Sequence, residues 1–282
     1  MSTTTKGSAA PLNTMLFDTH AHFFTDDVER YPLHGAAKSY LGPEKLRATV
    51  LANPTNVERM LGWWDENQVA AGVGVQYRSA YGIDNSYLLD VCALHPERIV
   101  PVVILDASNA TAPQTLRELA RTRGASGVRL TGYQDASGCF PWLNSTAALA
   151  TWAVADEMGL TVVLMHLPPG TSAPALGPIA EVARRFPSTR IVLDHVGWPA
   201  HEAGPNFGLS PAHRLLKDHP NIYYKLTTHL LKDFADAGIS TAQFVRHCVD
   251  TYGADHLMWG SDVGNTPGTY AELVGIALDS MA

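Results

Sequence analysis

The stretch Phe17-Asp18-Thr19-His20-Ala21-His22-Phe23 sets two imidazoles two residues apart at the end of a β-type run. Side chains at i and i+2 of a strand share a face, so both rings can address one ion. Imidazole is a common ligand of zinc and other first-row divalent metals. Taken alone, His-x-His also arises by chance among surface or core histidines. Its weight comes from the rest of the chain. After the run at 15–17, further β-branched or apolar runs lie at 72–75, 99–105, 127–130, 161–164, 190–193, 222–226 and 256–259, and several of these also end in His or Asp.

Most of these runs are continuously apolar rather than alternating, as expected of parallel strands covered by helices on one face and packed on the other. Amphipathic stretches separate them at 56–67, 85–94, 113–123, 146–158, 178–186, 211–217, 241–252 and from 270 onward, several opening with Pro or following a Ser, Thr or Asn cap. Eight β-then-α units in series, with no linker or break in composition, predict a single-domain (β/α)8 TIM barrel over residues 14–282. A doubly wound open sheet is the alternative. Its commonest nucleotide-binding form is excluded, because no Gly-x-Gly-x-x-Gly follows the first run.

A chain of 282 residues is long enough for one large core. The net charge of −7, with Lys and Arg scattered, leaves no basic footprint for nucleic acid or an anionic membrane surface. Cys92, Cys139 and Cys248 are few, odd in number and without a Cys-x-x-Cys pair, which points to a reducing, cytoplasmic compartment. Residues 1–13 are small and polar, lack an apolar signal core and read as a disordered tail. No run approaches a membrane span. The expected partner is a small molecule, alongside further copies of the chain should it form a homo-oligomer.

Active sites on this barrel sit at the C-terminal ends of the strands, so each run is read at its exit. The first exits through His20 and His22, the fifth through His166, the sixth through Asp194 and His195, and the eighth through Ser261 and Asp262. One His after a strand is commonly a hydrogen-bonded structural residue; four metal-capable exits on one rim are not explained that way.

This set resembles the amidohydrolase superfamily. The stretches 17–24 and 75–85, with Val192-Leu193-Asp194-His195-Val196-Gly197-Trp198-Pro199, resemble its amidohydrolase-2 branch, which holds 2-pyrone-4,6-dicarboxylate lactonase and the sugar-acid lactonases. The resemblance implies metal ligation by His20, His22, His166 and Asp262, with His195 beside them as a catalytic imidazole. Arg129 stands where binuclear members place a bridging Lys or Glu, so one divalent ion, Zn or Mn, is expected. The pyrone-dicarboxylate lactonases work without a metal and need not carry the fifth-strand His, so His166 favours a metal and argues against that substrate; a metal-free mode is the alternative. Relatives usually continue past the eighth-strand region through a further closing helical segment, so for a chain stopping at Ala282 the resemblance implies either truncation or an unrepresented tail.

The chemistry follows from the residue types. A divalent ion with an open position acidifies bound water and polarises a carbonyl. Asp262 can take the proton of the attacking water and pass it to the leaving oxygen, while His195 holds the carbonyl oxygen. Arg78, Ser79, Tyr81 and Arg129 are the expected substrate-binding residues, since Arg offers a fork suited to a carboxylate. Lys225 has a similar case, or serves as a structural ion-pair partner, and His229 a weaker one. Segment 23–54, with Tyr31, His34 and Tyr40, exceeds an ordinary βα loop and is a candidate lid. Trp63, Trp64 and Trp152 read as core. His95, His201, His213, His219, His247 and His256 carry no expected chemistry. The expected activity is hydrolysis of a carboxylate-bearing lactone, with a nonoxidative decarboxylase of an aromatic or muconate-type acid and a noncatalytic binder as the alternatives.

Overall fold

Eight parallel strands follow one another in register around a sheet in the order β1 to β8: β1 (Leu16–Ala21), β2 (Val69–Val75), β3 (Ile99–Ile104), β4 (Gly127–Tyr133), β5 (Thr161–Leu167), β6 (Ile191–Leu193), β7 (Ile222–Thr227) and β8 (Leu257–Gly260). The structure, a computed structural model, describes residues 15–34, 42–167 and 170–282. A parallel bridge between Ala21 and Val263 and a bond from the Asp262 amide to the His20 carbonyl (2.8 Å) bring the last strand back to the first. The sheet with its intervening helices is the expected (β/α)8 barrel. The expected tail at 1–13 lies outside the described residues. Among the described residues, no helix is long and apolar enough to cross a membrane.

Capping residues set the helix starts. Asn56, Ser145, Ser240 and Thr269 each accept a bond from an amide in the first turn of the following helix, and Thr269 forms a capping box with Glu272. The helix expected from Pro178 begins at Ala173 instead, with Pro174 in its first turn and Pro178 inside it. Between strands and helices, two apolar layers bury Trp64 and Trp152 completely.

Alternation along the strands fills the barrel in layers. Val75, Val102, Val163 and Val192 make an apolar layer, joined by Val73, Tyr223 and Met258. Arg129, Asp194 and Lys225 form a buried charged group inside the ring, with His20 against it. Gly260 is required beside it: a Cβ there would lie 2.5 Å from the Cβ of His20, so only glycine lets β8 close against β1.

In the described part of the candidate lid, the His34 amide bonds to the Ala80 carbonyl (2.8 Å), and Tyr31 packs on a helix after β2. Tyr31 donates to Asp90 (2.7 Å) and meets Tyr87 edge-on, and helix Pro43–Ala52 comes next along the chain. Tyr40 lies outside the described residues.

Candidate active site

His20 and His22 leave the end of β1 on one side, their Nε2 atoms 3.3 Å apart. Asp262 follows β8 at φ 51°, a left-handed backbone that aims its carboxylate at them. Its Oδ1 lies 3.1 Å from His22 Nε2 and 3.7 Å from His20 Nε2. Asn265 Nδ2 donates to the same oxygen at 3.0 Å.

The second ring nitrogens decide what these atoms can do. His22 Nδ1 lies 2.9 Å from the Val75 carbonyl, which only accepts, so Nδ1 carries the proton and Nε2 presents a lone pair. His20 Nδ1 lies between the Asp194 carboxylate (3.2 Å) and Lys225 Nζ (3.4 Å), and the tautomer that donates to the nearer Asp194 leaves Nε2 unprotonated. Burial, aided by Lys225, pushes His20 down to about 4 against the pull of Asp194 and Asp262, so the ring is neutral near pH 7. Asp262 is held well below the usual carboxylate range: burial acts to raise it, but His20, His22 and His195 outweigh burial. Three electron-rich atoms thus converge with no proton between them, an arrangement that repels itself unless a cation sits at its centre. Zinc–imidazole bonds of about 2.0–2.1 Å set roughly 3.3 Å between neighbouring atoms of a tetrahedral ion. His20, His22 and Asp262 therefore fit a metal, as a buried group whose ligand atoms lie within 4.8 Å of one another. The carboxylate and carbonyl behind the two imidazoles are the partners that fix metal-binding rings.

Asp194 holds that arrangement from behind. Its Oδ2 accepts from Arg129 Nε at 2.8 Å and forms an ion pair with Nη2, also at 2.8 Å, while Nη2 donates to Met165 Sδ. Its Oδ1 lies 3.2 Å from Lys225 Nζ as well as from His20. Although burial raises the Asp194 pKa, Lys225, Arg129 and His20 bring it well below the ordinary value. Asp18 works in parallel. It accepts from the His20 and Ser261 amides (3.0 and 2.8 Å), the Ser261 hydroxyl (2.6 Å) and the Tyr270 hydroxyl (2.9 Å), tying β1 to the β8 exit and to helix Tyr270–Met281.

His195 enters from the opposite side. His195, Val196 and Trp198 all have φ 54°, and with Gly197 they make a left-handed turn that is costly for side-chain-bearing residues, above all β-branched Val196. The turn stacks the His195 ring on Trp198 (centroids 4.0 Å apart) and sets Nε2 3.9 Å from Asp262 Oδ2. Nδ1 pairs with Thr227 Oγ1 at 2.6 Å. Burial holds this imidazole neutral.

Over this centre opens a cavity of about 450 Å³, whose wall includes Tyr77, Arg78, Ser79, Thr131, Met165 and Trp198. Arg78 and Ser79 also border an adjoining cleft that His34 lines. Two expectations change here. Arg129 reaches the cavity, but its guanidinium is committed to Asp194, so it does not stand free as a carboxylate anchor. Tyr81 lines neither space; its hydroxyl accepts from the Thr25 amide at 3.0 Å, and burial pushes it up to about 12.

His166 is not brought to the group. β5 runs on to Leu167, so strand alternation applies through His166: Val163 points into the barrel and Met165 and Leu167 into the cavity, while Val162, Leu164 and His166 point outward. The ring lies 5.7 Å from Phe140 and 6.3 Å from Trp142, with Nδ1 3.3 Å from the Thr171 hydroxyl. His166→Gln is therefore expected to keep the metal content of the parent protein. Loss of the ion from a folded variant would return His166 to the ligand set.

Sequence reasoning gave no role to Asp18, Asp194, Thr227 or Tyr77, and set His201 aside although it lines the cavity. Asp194 had a readable signal, an acidic residue directly before the His of a strand exit. The others become functional only through contacts made across the ring.

A barrel carrying a His-x-His and Asp centre at the C-terminal ends of its strands defines a class of hydrolytic and metal-assisted enzymes. The chain belongs to the amidohydrolase family, whose sequence profile matches residues 17–280. It is 29% identical over 186 residues to L-fucono-1,5-lactonase of Burkholderia ambifaria, a match covering 64% of this chain and 60% of that protein. The chain thus matches less than two thirds of that relative's length. Among solved structures, a probable 2-pyrone-4,6-dicarboxylic acid hydrolase from Acinetobacter baumannii with citric acid bound superposes with a TM-score of 0.70, at 18% identity over 95% of this chain and 92% of that one. An amidohydrolase from Burkholderia multivorans with bound zinc gives 0.69, at 19% identity over 95% and 91%. At such identities these likenesses speak for the fold.

Proposed function

We propose that the chain is a lactonase that opens the ring of a carboxylate-bearing lactone by hydrolysis. The observation that carries this reading is the convergence of His20 Nε2, His22 Nε2 and Asp262 Oδ1 beneath a cavity whose wall includes Arg78. The matches to a named fuconolactonase and to a pyrone-dicarboxylate hydrolase fold support it.

His20, His22 and Asp262 would hold one divalent ion, which when bound acidifies water and polarises a carbonyl. Asp262, kept ionised by its imidazole neighbours, receives a proton from the attacking water and returns it to the ring oxygen as the acyl–oxygen bond breaks. The Thr227 hydroxyl accepts from the Leu230 amide and offers its own hydrogen to His195 Nδ1, which puts the ring proton on Nε2, facing the carbonyl oxygen. Arg78 and Ser79 meet the carboxylate. Arg129 and Lys225 act through Asp194 and do not touch the substrate.

A lactone panel followed by proton release, with carbon dioxide measured in parallel, tests the activity. Proton release without gas is expected. Carbon dioxide from aromatic or muconate-type acids, with lactones untouched, would replace this reading by decarboxylation; tight binding with no turnover would leave a binder. Protein prepared without added metal is expected to contain about one equivalent of a first-row divalent ion, lost in His20→Ala. Full activity in stripped protein that regains no metal would leave the His and Asp residues to activate water themselves.

A further inference from the structure

Asp233, on helix Thr228–Asp236 beyond β7, lines the cavity and has no part in the chemistry above. Its side chain is about one-third exposed. His229 Nε2, one turn earlier, lies 3.7 Å from Oδ2, and His201 Nε2, from the loop after β6, lies 3.9 Å from the same oxygen. Both separations exceed hydrogen-bond length. Among the described residues the carboxylate accepts no hydrogen bond and has no Lys or Arg within 4 Å, so its lone pairs are open toward the cavity. The two imidazoles are fixed by aromatic rings: His229 stands at 89° to Trp198, and His201 meets Phe234 edge-on at 5.2 Å. An exposed i, i+4 pair contributes little to a helix and does not account for the convergence of His201 from a different loop.

The charges around the mouth are unevenly placed. Arg78 follows β2. His201, His229 and Asp233 follow β6 and β7, across the ring, with the centre at β1 and β8 between them. Arg129 is spent on Asp194. The wall thus offers a cation on one side and an acceptor carboxylate with two imidazoles on the other.

We propose that Asp233, with His201 and His229, is the specificity element that accepts hydrogen bonds from ligand hydroxyl groups and rejects a second carboxylate. The substrate class is then a lactone that bears hydroxyl groups opposite a single carboxylate, the carboxylate lying at the Arg78 side. This rests on the lactonase reading. Hydroxyl donors satisfy an ionised acceptor with strong hydrogen bonds, whereas a ligand carboxylate would face like charge in a partly buried space.

The test compares the parent protein with Asp233→Asn and Asp233→Ala on three substrates: a polyhydroxylated δ-lactone, unsubstituted δ-valerolactone and a dicarboxylated lactone. Asn keeps the shape but replaces one acceptor oxygen by a donor. Both variants are expected to lose roughly 10- to 100-fold in kcat/KM on the polyhydroxylated lactone, mainly through KM, as for loss of bonds to a charged group. δ-Valerolactone should be turned over as before, and the dicarboxylate better than before. Equal loss on all three by folded variants, or no change on any, would overturn the proposal. If the parent protein opens no lactone, the lactonase reading fails on its own, and calorimetric binding of a polyhydroxylated aldonate still decides the role of Asp233. Binding weakened roughly tenfold or more by Asp233→Asn upholds it; equal binding overturns it.

Discussion

Asp262→Asn is expected to fold, to keep its place at the end of β8, and to lose roughly 10²–10⁴-fold in kcat, the usual cost of losing general acid–base help. The backbone bond from residue 262 to the His20 carbonyl does not depend on the side chain. Asn can still present an oxygen toward His20 and His22, but it cannot accept the proton of the water. Steady-state kinetics with metal content measured on the same sample checks this. A near-native rate in a metal-replete variant would make Asp262 structural. Loss of metal and activity together would show that its first task is to hold the ion.

The second large effect is expected at Asp194. Asp194→Asn removes the charge that Arg129, Lys225 and the His20 ring share, leaving two buried cations without a carboxylate. Breaking a buried ion cluster on one side costs about 3–5 kcal/mol, readable in chemical denaturation. If the fold survives, metal affinity should fall roughly 10- to 100-fold, as when the partner behind a ligating imidazole is lost; competition with a chelator measures this without reference to turnover. Arg129→Met should show a milder form of the same defect, with carboxylated and uncharged lactones affected alike. A variant defective only toward carboxylated substrates would restore Arg129 to the role of anchor.

The barrel could be read from the sequence because its signal is repeated: eight apolar runs, each followed by an amphipathic stretch, leave few other ways to bury a chain of this length. The convergence of His20, His22, His195 and Asp262 was legible because it depends on spacing and on strand exits. His166 was placed with them because the run at 161–164 looked complete, whereas β5 continues to Leu167 and parity turns the ring outward. The reading of Arg129 found the inward direction but not the partner, since Asp194 lies 65 positions away and meets it only across the ring. Asp233 escaped for a similar reason: on its own helix it looks like one member of an exposed pair, and its meaning comes from His201 on another loop.

The closure of the ring at Asp18, His20, Ser261, Asp262 and Tyr270 has a consequence for how the protein comes into being. During synthesis His20 and His22 leave the ribosome some 240 residues before Asp262, so the emerging chain carries an unfinished centre throughout its birth. Only when the last strand docks do the ligand set, its supporting carboxylate and the final seam of the wall come together. A chain that stops or is clipped before Ser261 lacks the latch as well as Asp262, so a shortened product is left without both rather than persisting as a partly active species.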